Sequence, residues 1–223
     1  MIRTQGGNRG SQTMQRLKIA LIIPDGITRR GMVSLISQSN YANCQLYEFE
    51  DFNGFRDDES ESHLIYFDIS MLMIDVLEEQ TQAILTLQPD AKLVIISNRL
   101  AVLHIHRIQQ LGAKGFIYRD ELESMLLQSI DIVTRDLIVY SPQVQNLLMS
   151  KDKLYLANEL RDIDINVLRL MAQGCSTKEI AQQLAVSTKT IYRIRDRLRD
   201  LLDVPNTEMI LDAAREQGLL NDI

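Results

Sequence analysis

The chain contains no tryptophan, only two cysteines and four prolines among 223 residues, and no apolar run near the roughly 20 residues that a membrane-spanning helix needs. Cys44 and Cys175 lie far apart and show neither metal-ligand nor paired-redox spacing, which excludes a disulfide framework. They read as small buried hydrophobes in a reducing compartment. An excess of positive charge is also missing. With 24 Lys and Arg against 30 Asp and Glu, the net charge is −6, which argues against indiscriminate coating of nucleic acid yet leaves room for a local basic face. A glycine-rich phosphate loop, a nucleophile elbow and a paired catalytic constellation are absent, so neither enzymatic activity nor a cofactor is expected. His104 and His106 stand two apart on an expected helix and do not share a face, so no metal site is expected. Residues 1–15 are polar, carry Gly6, Gly7 and Gly10, and lack the apolar stretch of a signal peptide; they read as a disordered tail on a cytoplasmic chain with no membrane partner.

Apolar residues make up 45% and charged ones 24%, enough for a packed core and a solvated surface, and the length suits two modest domains. Over residues 16–135, near-continuous apolar runs at Lys18–Ile23, Cys44–Phe49, His63–Phe67, Lys92–Ser97 and Gly115–Tyr118 read as strands buried on both faces. Helical stretches at Ile27–Ser39, Asp75–Gln88, Leu100–Leu111 and Asp120–Thr134 alternate with them, and that alternation predicts an α/β doubly wound parallel sheet. The acidic segment Asp51–Ser62 is too poor in periodic apolar residues for a full helix and reads as a short helix or a loop. Residues 136–156 read as a linker. Beyond it, over 157–223, no strand pattern survives, and an all-α domain is expected.

The second domain holds the most informative stretch. Ser176 with Glu179 forms a capping box opening a short helix with Ile180, Ala181 and Leu184 on one face. Ala185 and Val186 supply a tight apolar turn, and Ser187 caps the next helix. In that second helix Ile191, Ile194, Leu198 and Leu202 are spaced to pack inward. This is a helix-turn-helix, in which the first helix braces the second so that the second can lay its N-terminal side chains against base edges. Ser187–Arg199 carries five basic side chains and one acid, Asp196, within an acidic chain. Arg193, Tyr192 and Asp196 are the candidates for base edges, because a guanidinium suits guanine O6/N7 and a carboxylate accepts from cytosine N4. Lys178, Thr188, Lys189 and Arg197 are the candidates for phosphate contacts.

Val167–Gly174, Ser176–Ala181, Val186–Ile191 and Ala213–Leu220 strongly resemble the LuxR/NarL-type helix-turn-helix family without an insertion. The resemblance implies a four-helix domain that binds double-stranded DNA as a homodimer and uses its last helix, about Thr207–Gln217, for dimer contact. RNA polymerase or another regulatory protein is a further candidate partner. The family's usual His-Val in the reading helix is replaced by Ile194-Arg195.

The N-terminal domain resembles, more weakly, the flavodoxin-like receiver of two-component response regulators. The residues that carry this are Tyr66–Met71 at the third strand, Ser97 ending the fourth, and Gly112–Asp120 around the fifth. The resemblance implies that Asp68 stands where the family's phosphoacceptor stands, with Ser97, Phe116 and Arg119 in the places of the residues that sense or pair with the phosphoryl group. The family's acidic pair after the first strand is reduced to Asp25, and its lysine is Arg119, a wide planar cation that is not equivalent at a tight phosphate site. The expectation is a transcription regulator whose receiver-like domain does not use magnesium-dependent aspartyl phosphorylation. Two other readings stay open: a protein-interaction module that sequesters a partner regulator, and a conventional phosphorylated response regulator.

Overall fold

The computed structural model describes residues 16–70, 72, 74–98, 101–150, 156 and 159–220. The expected tail, 1–15, and part of the expected linker lie outside them. Six strands form one sheet: β1 (Lys18–Ile22), β2 (Gln45–Phe49), β3 (Leu64–Asp68), β4 (Lys92–Ser97), β5 (Gly115–Tyr118) and β6 (Val139–Tyr140). Their order is β2-β1-β3-β4-β5-β6 and every pair is parallel. The first five match the apolar runs to within about two residues, because strands covered on both faces must be apolar at every position.

Alternation along the strands separates two cores. Ile19, Leu21, Tyr66, Val94 and Ile117 face α1 (Gly26–Ser37) and α5 (Leu122–Thr134). Ala20, Ile22, Ile65, Phe67, Ile95 and Phe116 share the other core with α2 (Phe52–Arg56), α3 (Ile74–Leu87), α4 (Val102–Leu111) and α6 (Pro142–Met149). The acidic segment after β2 forms the single-turn helix α2, capped by the Asp51 carboxylate, which accepts the Gly54 N–H at 2.8 Å.

Two residues of the stretch expected to be a linker, Val139 and Tyr140, join the sheet, and α6 follows them. Val139 and Tyr140 pair with Gly115 and Phe116, and Ser141, fully buried, accepts the Tyr118 N–H on its hydroxyl. The approach of β6 depends on glycine at 115: a Cβ there would stand 2.7 Å from Val139 Cγ1 and 2.9 Å from Val94 Cγ1. Phe116 stacks on Tyr140 with ring centroids 5.9 Å apart, so the aromatic at the family's sensing position is held inside the core rather than at the sheet edge.

The C-terminal domain packs α7 (Asp162–Ala172), α8 (Thr177–Gln183), α9 (Thr188–Leu201) and α10 (Ile210–Glu216) around Ile165, Val167, Leu168, Ile180, Ile191, Ile194, Leu198, Ile210 and Ala214. It does not float free of the sheet domain. Val102 and Leu103 of α4 belong to its core, and Leu147 and Leu148 of α6 pack against both cores. Arg107 of α4 bridges Glu78 of α3, at 3.2 Å, and Asp162 at the start of α7.

His104 lies in this junction, beside a cleft of about 330 Å³ that is also lined by Glu78, Arg107, Asp162 and Arg169. It is only 7% exposed, and its Nε2 has no hydrogen-bond partner among the described residues. Burial, reinforced by the Arg107 charge, pulls its pKa down from 6.5 to about 4. Between those values the unfolded chain binds a proton that the folded chain does not, so stability rises with pH across that window and falls as the solution is acidified. Lowering the pH from 7 to 5 is expected to cost the native protein about 2 kcal/mol more than it costs His104→Gln. Urea unfolding at the two pH values reads the difference, and equal losses would contradict a neutral buried imidazole.

Candidate nucleic-acid interface

Two helices and their caps, α8 and α9, place the candidate residues. Ser176 accepts the Glu179 N–H, and the Glu179 carboxylate accepts the Ser176 N–H at 2.7 Å, closing the capping box at the start of α8. The turn to α9 passes through Ala185 at φ 52°, and the Val186 N–H returns to the Ala181 carbonyl at 2.9 Å. Ser187 then caps α9 by accepting the Thr190 N–H at 3.1 Å. Ile191, Ile194 and Leu198 are 0–4% exposed, and burying each contributes roughly 2 kcal/mol. That fixes the rotation of α9 about its axis.

The opposite side is bare. Thr188, Lys189, Tyr192, Arg193 and Asp196 are exposed on α9, and Lys178 is exposed on α8. Tyr192, at 58%, is among the exposed large apolar side chains of the molecule. The two residues that depart from the family pattern fall elsewhere: Ile194 is in the core, and Arg195 is half-buried and donates to Thr177 Oγ1 at 3.2 Å. Asp196 accepts from Arg199 at 3.3 Å, and Arg199 also holds Asp200 at 2.8 Å, so both acids of this face have a cation beside them.

Arg197 is the exception among the six α9 candidates. Its guanidinium turns inward to the carboxylate of Asp164 and to the Glu159 carbonyl. Asp164, on α7, is wholly buried and is held from the other side by Arg161, through the backbone N–H at 2.9 Å and the side chain at 2.9 and 3.0 Å. Burial works against its charge, but the Arg161 side chain and N–H, joined by Arg197, outweigh it and hold the carboxyl below its usual range. Sequence reasoning missed Asp164. The signal available was an acid at the third position of α7, where it can reach back to the residue before the helix.

In the N-terminal domain, Asp25 follows β1 and Asp68 ends β3, on either side of the point where the strand order reverses, which is where doubly wound sheets bind ligands. Asp68 is buried; its Oδ1 accepts the Ser70 N–H at 2.9 Å and its Oδ2 faces Arg119 Nη1 at 3.6 Å. Arg119 Nη2 donates to Asp25 at 2.6 Å and to Thr28 at 3.0 Å. The Thr28 hydroxyl and the Ile27 N–H, with Arg119 behind them, hold the Asp25 carboxyl below its usual range. Ser97 is buried at the end of β4. A magnesium ion here needs carboxylate oxygens free to face it, and the guanidinium of Arg119 already lies against both carboxylates, so these residues do not fit the metal the receiver family employs. Among the described residues no group of three His, Cys, Asp or Glu side chains gathers as a metal site. Both cysteines are free and half-buried, and no described helix is long and apolar enough to cross a membrane.

Residues 162–213 match the family of bacterial regulatory proteins, luxR family. The C-terminal domain is a luxR-family domain. The chain is similar to the transcriptional regulatory protein DesR of Bacillus subtilis, 28% identical over 127 residues that cover 57% of this chain and 61% of DesR, under two thirds of that relative. It is also similar to the nitrate/nitrite response regulator protein homolog of Haemophilus influenzae, 26% identical over 189 residues covering 83% of this chain and 90% of that one. Among solved structures, RcsB of Salmonella enterica serovar Typhimurium bound to promoter P1flhDC superposes with a TM-score of 0.64 at 19% identity, covering 89% of this chain and 97% of that chain. A complex of the two-component response regulator RcsB with DNA gives 0.62 at 19% identity, over 90% and 98% of the two chains. The fold is therefore a receiver of parallel strands followed by a luxR-family helix-turn-helix domain.

Proposed function

We propose that this chain is a DNA-binding transcription regulator of the response-regulator type, acting as a homodimer in the cytoplasm, with Lys178, Thr188, Lys189, Tyr192, Arg193 and Asp196 facing the duplex. The observation that carries this reading is the bare, basic side of α9, backed by the buried Ile191, Ile194 and Leu198. A helix presented in this way enters a major groove with its N-terminal residues on base edges. Arg193, exposed and one turn into the helix, suits guanine; Lys178, Thr188 and Lys189, near the N-termini of α8 and α9, suit phosphates. The homodimer follows the luxR-family resemblance, and RNA polymerase or a second regulator is the kind of protein partner it would meet at a promoter.

The receiver domain, in this reading, works without magnesium-dependent phosphorylation of Asp68. Arg119 supplies a fixed positive charge to both carboxylates, a part that a metal ion plays in phosphoryl transfer. A guanidinium cannot offer the open coordination positions that an incoming phosphoryl oxygen needs. Asp68 then serves as a buried anchor, accepting the Ser70 N–H and facing Arg119.

Selection from randomised duplexes with the purified chain is expected to return one motif, bound with an affinity that falls steeply with salt, by a log–log slope of about 0.9 per phosphate contacted. Arg193→Glu is expected to weaken binding to that motif by at least roughly 10- to 100-fold. A chain that prefers no duplex over random competitor, or Arg193→Glu binding as well as the native chain, contradicts the assignment and favours a protein-sequestering role. Treatment with a small acyl phosphate and magnesium is expected to leave Asp68 unmodified by mass spectrometry and the operator affinity unchanged. Stoichiometric modification of Asp68 with tighter DNA binding would overturn the reading of the receiver.

A further inference from the structure

We propose that Asp164, clamped between Arg161 and Arg197, is a positioning residue for DNA reading that fixes the angle of α9 against α7, and that Arg197 acts through it rather than on phosphate. The proposal rests on the DNA-binding reading above. Its basis is the internal geometry of the domain. The Asp164 side chain is 0% exposed, and it receives the Arg197 guanidinium from α9 together with three hydrogen bonds from Arg161. Arg197 also donates to the Glu159 carbonyl, just ahead of α7, so its fork spans two groups of the same segment.

The apolar contacts of α9 fix which side faces out, but they constrain sliding and tilting less well, because aliphatic surfaces accept small shifts at low cost. A buried carboxylate does not. It must keep its donors or remain as an uncompensated charge, which makes such a pair a device for specificity of arrangement more than for stability. Arg197 lies one turn beyond Arg193 on the same helix, so a tilt that broke the clamp would displace Tyr192 and Arg193 from the base edges, and a binding constellation that is about 1 Å out of place is too loose to work. Most of Arg197 is withdrawn from solvent, with its side chain 30% exposed. An arginine spent in this way is not available to a phosphate.

Fluorescence anisotropy on the full chain, with the selected motif and with random duplex at several salt concentrations, separates the roles. Arg197→Gln and Asp164→Asn are each expected to weaken binding to the motif at least tenfold. Random-duplex affinity and the salt slope should stay those of the native chain, and the double variant should lose no more than the worse single one. Arg197→Lys keeps a charge but cannot span Asp164 and the Glu159 carbonyl together; it is expected to fall between native and Arg197→Gln, and it serves as the readout if Arg197→Gln fails to fold by circular dichroism. A fall in the salt slope by about 0.9 for Arg197→Gln, with Asp164→Asn binding normally, would make Arg197 a phosphate ligand and overturn the proposal. If the unsubstituted chain prefers no duplex, the DNA-binding reading fails, and this role fails with it; a preference lost in neither variant overturns the positioning role alone.

Discussion

Helix α9 can be buried on one side only. Its inward positions, Ile191, Ile194 and Leu198, recur at three- and four-residue spacing and are all but sealed from water, so Tyr192, Arg193 and Asp196 between them face outward, while Arg197 turns back to Asp164. The caps at Ser176 and Ser187, the turn through Ala185 and the seat on α7 and α8 all serve this placement. An acidic chain of net charge −6 thereby presents Lys189 and Arg193 on one exposed side of α9.

The sheet domain and the luxR-family domain share apolar contacts. β6 lengthens the sheet, α6 contributes Leu147 and Leu148 to the contacts of both cores, and α4 gives Val102 and Leu103 to the C-terminal core. The side of α9 that carries Lys189, Tyr192 and Arg193 remains exposed. At the sheet edge, Arg119 lies against both acids of the site; inside the core, Phe116 stacks on Tyr140 of the added strand.

The legible parts of the fold were those governed by short-range rules. Strands covered on both faces announce themselves as continuous apolar runs, and serine caps with their partners three residues on mark the starts of α8 and α9. The short helix α2 was legible only as an alternative to a loop, since a single turn offers no periodicity to read. β6 was not legible, because two residues carry no pattern and its place depends on Gly115, 24 residues earlier in the chain, leaving room for Val139. The partners of charged side chains were equally hidden. Arg197 shares its face-by-face spacing with Arg193, and nothing within α9 distinguishes a cation that faces solvent from one that reaches Asp164, 33 positions away. Asp25 was reached by counting from β1, yet its pairing with Arg119 bridges 94 positions and only the sheet brings them together.

The most direct measurement of the central claim is tethered cleavage. With Cys44 and Cys175 replaced by serine, Arg193→Cys carries an iron chelate that generates hydroxyl radicals beside the bound duplex. Cuts are expected only within the selected motif, with the strand offset of a major-groove source, and little cutting is expected when the same chelate is carried by Gln217→Cys, beyond α10. Diffuse cutting from position 193, or stronger cutting from position 217, would mean that α9 is not the surface that meets DNA.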